Sequence, residues 1–235
     1  MIASPTIKAI LFDAYGTLLD IHSIAQCADE IFPSQGVAIS ALLREKQIEY
    51  SRLRSMAGQY KSFWDITRDA LQFTCASKGL ALTQANANRL MSQYAKLAPF
   101  NENIAVLKQL KAIGLPLGVL TNGNKSMIDA ALSNAQMQSY FDHVLSSESV
   151  QKFKPDPAIY ALGPDALKLP VAQIMFVSSN AWDACAAQWF GYQAFWINRA
   201  QVTIDQLDVV PARQGKTLED VLAVFKPLAL GQPSR

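Results

Sequence analysis
The chain predicts an α/β fold, a parallel sheet covered by helices on both faces, with a small all-helical insertion near its start. Three observations carry this reading. An apolar run over residues 7–12, with Lys8 its only charge, stops abruptly at Asp13 and continues as Ala14-Tyr15-Gly16-Thr17. No convincing strand follows between about residues 21 and 97. From Asn101 onward short apolar runs alternate with helical stretches, the pattern of a parallel sheet wrapped by its crossover helices.

The first run is short and apolar, so it reads as a buried strand, and Gly16 supplies the turn behind it. Asp13 thereby stands at the carboxyl end of a strand, where open α/β sheets gather their ligands. On this stretch alone Asp13 reads equally well as a helix or turn cap. In the helical block, Leu43, Tyr50, Leu53, Ala57 and Tyr60 recur at a helical spacing, and Arg44 and Ile48 lie four apart on a neighbouring face. Phe63, Ile66, Ala70 and Phe73 form a second stripe. Thr83 is the expected cap of a third helix that holds Ala87, Leu90, Met91, Tyr94 and Leu97. Most of these side chains are read as helix packing.

Residues 104–113 then predict a helix stopped by Gly114, and residues 115–120 a strand ending in Thr121-Asn122-Gly123. A helix is expected near residues 126–134 and a short strand near 141–145. Lys154-Pro155-Asp156-Pro157 opens another helix, with prolines where an N-terminus tolerates them. Gly163-Pro164 predicts a break or kink in it. Residues 174–177 form a strand that runs into Ser178-Ser179-Asn180-Ala181-Trp182-Asp183. A helix through residues 184–190 stops at Gly191, residues 193–197 are a strand, residues 220–225 a last helix and residues 227–235 a loose tail.

Composition narrows the function classes. With 235 residues, 50% hydrophobic and 17% charged, the chain has ample material for a globular core. The net charge of +2 carries no basic block, which argues against a nucleic-acid partner. No run of about 18 apolar residues argues for a membrane span and no signal peptide is recognised, so the cytoplasm is the default setting. Cys27, Cys75 and Cys185 are odd in number and far apart, which suits free thiols in a reducing compartment better than a disulfide framework or a zinc site.

Four polar clusters share one predicted address. Asp13, Thr121-Asn122 and Ser178–Asp183 each follow an apolar strand, and Lys154 begins a helix after a fourth. In a parallel sheet these ends converge on one crevice. Asp13 has the chemistry of a carboxylate nucleophile. Lys154 is a cation suited to keeping Asp13 ionised and to positioning a second carboxylate, and Asp183 suits a base toward water. Thr121, Asn122, Ser178 and Asn180 add uncharged hydrogen bonds. Neither a Gly-x-Ser-x-Gly elbow nor a Walker or Gly-x-Gly-x-x-Gly loop is present. His22 and His143 fall outside the clusters and read as surface or satisfied structural residues.

On these motifs the chain resembles the haloacid dehalogenase superfamily over nearly its whole length, and within it the L-2-haloacid dehalogenases. Most superfamily members are phosphatases with Asp-x-Asp in the first motif and Gly-Asp in the fourth. Here those positions hold Tyr15 and Ser178-Ser179, so a magnesium ion has too few hard anionic ligands beyond Asp13 and Asp183. The resemblance implies a Rossmann-like core of residues 1–20 and 99–235 and a helical cap of residues 21–98. It implies that Arg44 reaches from the cap toward a leaving halide together with Asn122. Phe63 and Trp182 line the pocket, and Tyr160 lies close to it with a smaller role. Thr121 stands where relatives more often have Ser. Backbone amides near Ala14 and Tyr15 hold the substrate carboxylate with Thr121. Thr17 and Ser178 position Asp13, and Lys154 and Asn180 orient Asp183. The implied reaction converts short (S)-2-haloalkanoic acids to (R)-2-hydroxyalkanoic acids through an aspartyl ester, with no metal or organic cofactor, in a cytoplasmic homodimer. A magnesium-dependent phosphatase of the same fold and a non-catalytic binding protein are the competing readings.

Overall fold
The computed structural model describes residues 6–225. Its strands β1 (Ala9–Phe12), β2 (Leu117–Thr121), β3 (His143–Ser146), β4 (Ile174–Ser178), β5 (Gln193–Ile197) and β6 (Arg213–Gly215) form one sheet in the order 3-2-1-4-5-6. Every pairing is parallel. β1, β2 and β4 are buried along their whole length, which is why they read as unbroken apolar runs. β1 lies centrally between β2 and β4, where strand order reverses, so the crevice of the sheet opens beyond Phe12. The predicted α/β class and parallel sheet are what the structure has.

Between β1 and the core helix α5 (Asn103–Ala112) the chain forms four helices: α1 (His22–Ile31), α2 (Gly36–Ala57), α3 (Phe63–Ser77) and α4 (Gln84–Ser92). The remaining helices are α6 (Lys125–Asn134), α7 (Pro157–Leu167), α8 (Ala181–Phe190) and α9 (Leu218–Ala223). Thr83 caps α4 as expected, accepting the Asn86 N–H at 3.2 Å. Gly114 and Gly191 follow α5 and α8 with positive φ, the left-handed stop that glycine adopts at least cost. Among the described residues no helix is long and apolar enough to cross a membrane. The three cysteines are buried and free. The loose tail expected over residues 227–235 lies outside the described residues.

Four expectations are corrected. α1 and β6 gave no signal: α1 buries only Ile24, Cys27 and Ala28, and β6 is an edge strand, Arg-Gln-Gly, without an apolar side chain. The buried face of α2 is Ile39, Leu43, Gln47, Ser51 and Ser55, whereas Leu53 and Ala57 point outward. A hydrophobic reading misses this stripe because three of its members are polar and satisfied inside. Gln47 Nε2 donates to Thr67 Oγ1 at 2.6 Å and to Tyr94 Oη at 3.1 Å, Ser51 Oγ to the Ile48 carbonyl, and Ser55 Oγ accepts the Phe153 N–H. Phe73, likewise, is 42% exposed. Finally, α7 is not broken at Gly163-Pro164 but runs through it. Pro164 has no N–H for the Tyr160 carbonyl one turn back, and the Tyr192 hydroxyl donates to that carbonyl instead.

Candidate active site
The crevice beyond β1 holds a chain of buried ionisable groups. Asp13 leaves β1 directly into it and is 7% exposed. Its Oδ1 accepts from Lys154 Nζ at 3.0 Å, and its Oδ2 accepts from Thr17 Oγ1 at 3.1 Å and Asn180 Nδ2 at 3.0 Å. A carboxylate offers about four lone-pair directions, so one remains for chemistry. Lys154 Nζ turns its other side to Asp183 Oδ2 at 2.9 Å and lies 4.8 Å from the Phe176 ring centroid. Asp183, in the first turn of α8, is wholly buried. It also accepts from Ser178 Oγ at 2.9 Å and from Tyr160 Oη at 2.7 Å.

One ammonium thus bridges two carboxylates in a dry setting. Desolvation pushes the Lys154 pKa down, but the Coulomb pull and hydrogen bonds of Asp13 and Asp183 outweigh it, so the pKa rises above the ordinary 10.5. Burial is the largest influence on Asp183 and pushes its pKa up; Lys154 works against that, Asp13 adds to it, and the Tyr160 hydrogen bond lowers it. The net result is a carboxylate more basic than a solvent-exposed one.

The helical insertion supplies the opposite wall. Arg44 and Ile48, one turn apart on α2, face the cavity with Phe63 from the start of α3. The Arg44 guanidinium is loosely held, donating to Gln47 Oε1 at 3.3 Å and Asn180 Oδ1 at 3.4 Å. Tyr15 is buried, stacks on Phe63 with centroids 6.4 Å apart, and has no hydrogen-bond partner for its hydroxyl among the described residues. Burial raises its pKa well above the ordinary tyrosine value, with Tyr94 and Asp13 adding to the rise, so the phenol keeps its proton. Gly123 makes room for that ring: a Cβ there would fall 2.9 Å from Tyr15 Cε2. Trp182 completes the wall, with the Arg52 guanidinium 4.4 Å over its ring. The space enclosed is about 20 Å³, close to the room one water needs.

Further donors border the cavity. Thr121 Oγ1 accepts the Gly123 N–H and keeps its own proton to give. Asn122 Oδ1 accepts the Lys154 N–H at 2.8 Å, which leaves its Nδ2 as donor. In the loop after β1 the N–H groups of Asp13, Gly16, Thr17 and Leu18 donate to backbone carbonyls, and those of Ala14 and Tyr15 have no protein acceptor among the described residues.

Nine of the fourteen sequence-predicted site residues line the cavity: Asp13, Tyr15, Arg44, Phe63, Thr121, Asn122, Lys154, Asn180 and Trp182. Ala14, Thr17, Tyr160, Ser178 and Asp183 lie behind them. Two assignments exchange partners. Ser178 donates to Asp183, not to Asp13, and Asn180 donates to Asp13, not to Asp183. The reason is local: Ser178 ends β4 pointing into the sheet-side layer, whereas Asn180 is the N-cap of α8, caps nothing, and reaches across to β1. Tyr160, assigned a smaller role, contacts Asp183 directly. Sequence reasoning missed Gln47 and Tyr94 as support for Arg44, and it left Ile48 and Arg52 without a role. The spacing 44, 48, 52 on one helix face was the available signal. Ser179, where phosphatases carry a carboxylate, pairs with Thr17 Oγ1 at 3.1 Å. Among the described residues no group of three or more His, Cys, Asp or Glu side chains is placed to hold a metal.

With the geometry in hand, comparison with known proteins is direct. A haloacid dehalogenase-like hydrolase family model matches residues 7–191. The (S)-2-haloacid dehalogenase of Pseudomonas putida is 44% identical over 92% of this chain and 95% of its own. That of Pseudomonas sp. strain YL is 44% identical over 95% of this chain and 96% of its own. Among solved structures, an L-2-haloacid dehalogenase superposes with a TM-score of 0.93 at 49% identity, covering 94% of this chain and 99% of the other. The Xanthobacter autotrophicus L-2-haloacid dehalogenase with chloropropionic acid covalently bound matches with a TM-score of 0.88 at 30% identity, over 94% and 99% of the two chains.

Proposed function
This chain belongs to the haloacid dehalogenase-like hydrolase family, and on that premise we propose that it hydrolyses the carbon–halogen bond of short (S)-2-haloalkanoic acids. Asp13 attacks the α-carbon opposite the halogen, the carbon–halogen pair leaves as halide, and an Asp13 ester forms with inversion. Arg44 and the Asn122 amide receive the halide; a cation and a donor in a water-poor pocket act most strongly as its charge develops. The amides of Ala14 and Tyr15, with Thr121, hold the substrate carboxylate, and Ile48, Phe63 and Trp182 keep water from the displacement. Esterification removes the charge of Asp13, so Lys154 then serves Asp183 alone. Asp183 takes one proton from water as that water attacks the ester carbonyl; the other proton of the water goes to the departing alkoxide as the carbon–oxygen bond breaks, which releases the (R)-2-hydroxy acid and restores the Asp13 carboxylate, and Asp183 returns its proton to solvent. Thr17 and Asn180 hold Asp13, and Ser178 and Tyr160 hold Asp183.

The observation that carries this reading is the Asp13–Lys154–Asp183 chain of contacts, whose Asp13 and Lys154 line a small cavity with Arg44 on its far wall. Residues 21–98 act as a cap in this proposal, and because the enclosed space is near one water in size, the cap loosens to admit substrate. We further propose a cytoplasmic homodimer: exposed Val37, Leu53 and Met56 on α2 support the dimer, and the free cysteines support a reducing compartment. The test is halide release from (S)-2-chloropropionate by purified protein after exhaustive chelation. Release without added metal is expected, because Tyr15 and Ser179 stand where a magnesium site needs carboxylates. No release, with magnesium-restored hydrolysis of a phosphate ester, would overturn the proposal in favour of a phosphatase.

A further inference from the structure
We propose that Tyr192 is a positioning residue of this site: its hydroxyl replaces the helical N–H that Pro164 lacks and so holds Tyr160 with its phenol on Asp183. The inference rests on the dehalogenase reading for its catalytic consequence and on geometry alone for the rest. Residue 164 of a regular helix would donate its N–H to the carbonyl of residue 160. Proline has no such donor, and its ring crowds that carbonyl aside. Here the orphaned carbonyl accepts the Tyr192 hydroxyl, delivered from the residue just before β5 by a side chain that is wholly buried. The residue before the proline completes the set. A Cβ on residue 163 would fall 2.1 Å from Tyr192 Oη and 2.5 Å from Leu11 Cδ1, so glycine is what lets the hydroxyl in. Gly163, Pro164 and Tyr192 therefore form one matched device.

Its reach into the site is short. The Tyr160 backbone is held by Tyr192, and the Tyr160 side chain donates to Asp183 Oδ1 at 2.7 Å. The two rings also meet edge to face with centroids 6.3 Å apart, among Phe176 and Phe190. Loss of the Tyr192 hydroxyl leaves a buried carbonyl unpaired, so α7 shifts or bends to find another donor, and Tyr160 moves with it. Asp183 then loses a hydrogen bond that favours its ionised form. The charged and titratable groups around Asp183 are Lys154, Asp13 and Tyr160, with Arg52 at longer range. Only the Tyr160 contact changes, so the base becomes harder to ionise.

The experiment is a double-mutant cycle of Tyr192→Phe with Pro164→Ala, read by thermal unfolding and by kcat, KM and pH profile on (S)-2-chloropropionate. Tyr192→Phe should lower kcat roughly tenfold with KM within about twofold, the size of one lost buried hydrogen bond, and move the acid limb to higher pH. Pro164→Ala, which gives the helix its own N–H, should be near neutral. In the double variant both the lost Tm and the displaced acid limb should return most of the way to the Pro164→Ala values. Additive Tm losses would overturn the Tyr192–Pro164 coupling. A Tyr192→Phe variant that is less stable but keeps kcat and acid limb would overturn the positioning role. Wild-type protein that releases no halide would instead count against the dehalogenase reading, while the thermal cycle still decides the coupling.

Discussion
The two walls of the cavity are built differently. On the sheet side, Asp13, Lys154 and Asp183 are joined to each other and to Thr17, Asn180, Ser178 and Tyr160 by contacts of 2.7–3.1 Å. On the insertion side, the one guanidinium facing the cavity is held at 3.3 and 3.4 Å, and the rest of the wall is apolar or aromatic. In the proposed reaction the closely bonded wall carries the groups that form and break covalent bonds, for which sub-ångström placement matters most. The looser wall carries the group assigned to the leaving halide, an anion without directional bonds, and it has to part for substrate. The shorter hydrogen bonds thus fall on the side to which the proposal gives the directional chemistry.

Removing the nucleophile breaks this comparison at its root. Asp13→Asn cannot form the ester and should lose about 10⁴-fold or more in kcat. In single-turnover heavy-oxygen water with excess wild-type enzyme, label should enter Asp13 rather than the product. Label entering the product directly would mean attack by water and no ester.

Next in size is Lys154→Met, which leaves two carboxylates facing each other. Breaking a buried pair this way typically costs about 3–5 kcal/mol of stability, readable by thermal or urea unfolding, and turnover should fall with it. The sign of the pH dependence follows from the raised lysine pKa. The folded state holds the proton more tightly than the unfolded chain, so the stabilisation is complete below the ordinary value of 10.5 and fades as pH rises through the folded value. Wild-type Tm should therefore drop in that alkaline window, and the variant should lack the drop.

Arg44→Ala tests the looser wall. A halide gains its charge only as it leaves, so the loss should fall on kcat, about 10²–10³-fold, with KM moved far less. Arg44→Lys should recover part of it. The deficit should be larger for chloro- than for bromopropionate; a KM effect equal for both halogens would assign Arg44 to the carboxylate instead. The smallest effect belongs to Arg52, whose guanidinium has no carboxylate within salt-bridge distance among the described residues. The proposed substrate is an anion and a second cation beside Trp182 would steer it inward, so Arg52→Gln should reduce kcat/KM about threefold at low salt and flatten its salt dependence.

Much of this was legible before any coordinates. Asp13, Thr121-Asn122 and Ser178–Asp183 each lie at the carboxyl end of a fully buried strand, and buried parallel strands announce themselves as apolar runs with an abrupt polar end. Helix stops at Gly114 and Gly191 and the Thr83 cap were readable for the same local reason. α1, β6 and the inner face of α2 were not. The inner face of α2 rests on polar side chains satisfied by distant partners, such as Gln47 by Thr67 and Tyr94, which hydrophobic periodicity does not register, whereas α1 buries only three side chains and β6 carries no apolar one.

The sequence by itself therefore determined which functional groups stand at the strand ends, because that depends on neighbours within a few residues. Tertiary structure alone decided who bonds whom. Asn180 and Ser178, two residues apart, take different carboxylates because one ends a strand and the other begins a helix. Tyr192, far from α7 in sequence, supplies the donor that Pro164 denies it, and where a break or kink was predicted the helix runs through unbroken. Such contacts depend on side-chain direction across separations of 5 to 167 residues, from Ser178–Asp183 to Asn180–Asp13, and only the packed chain sets that direction.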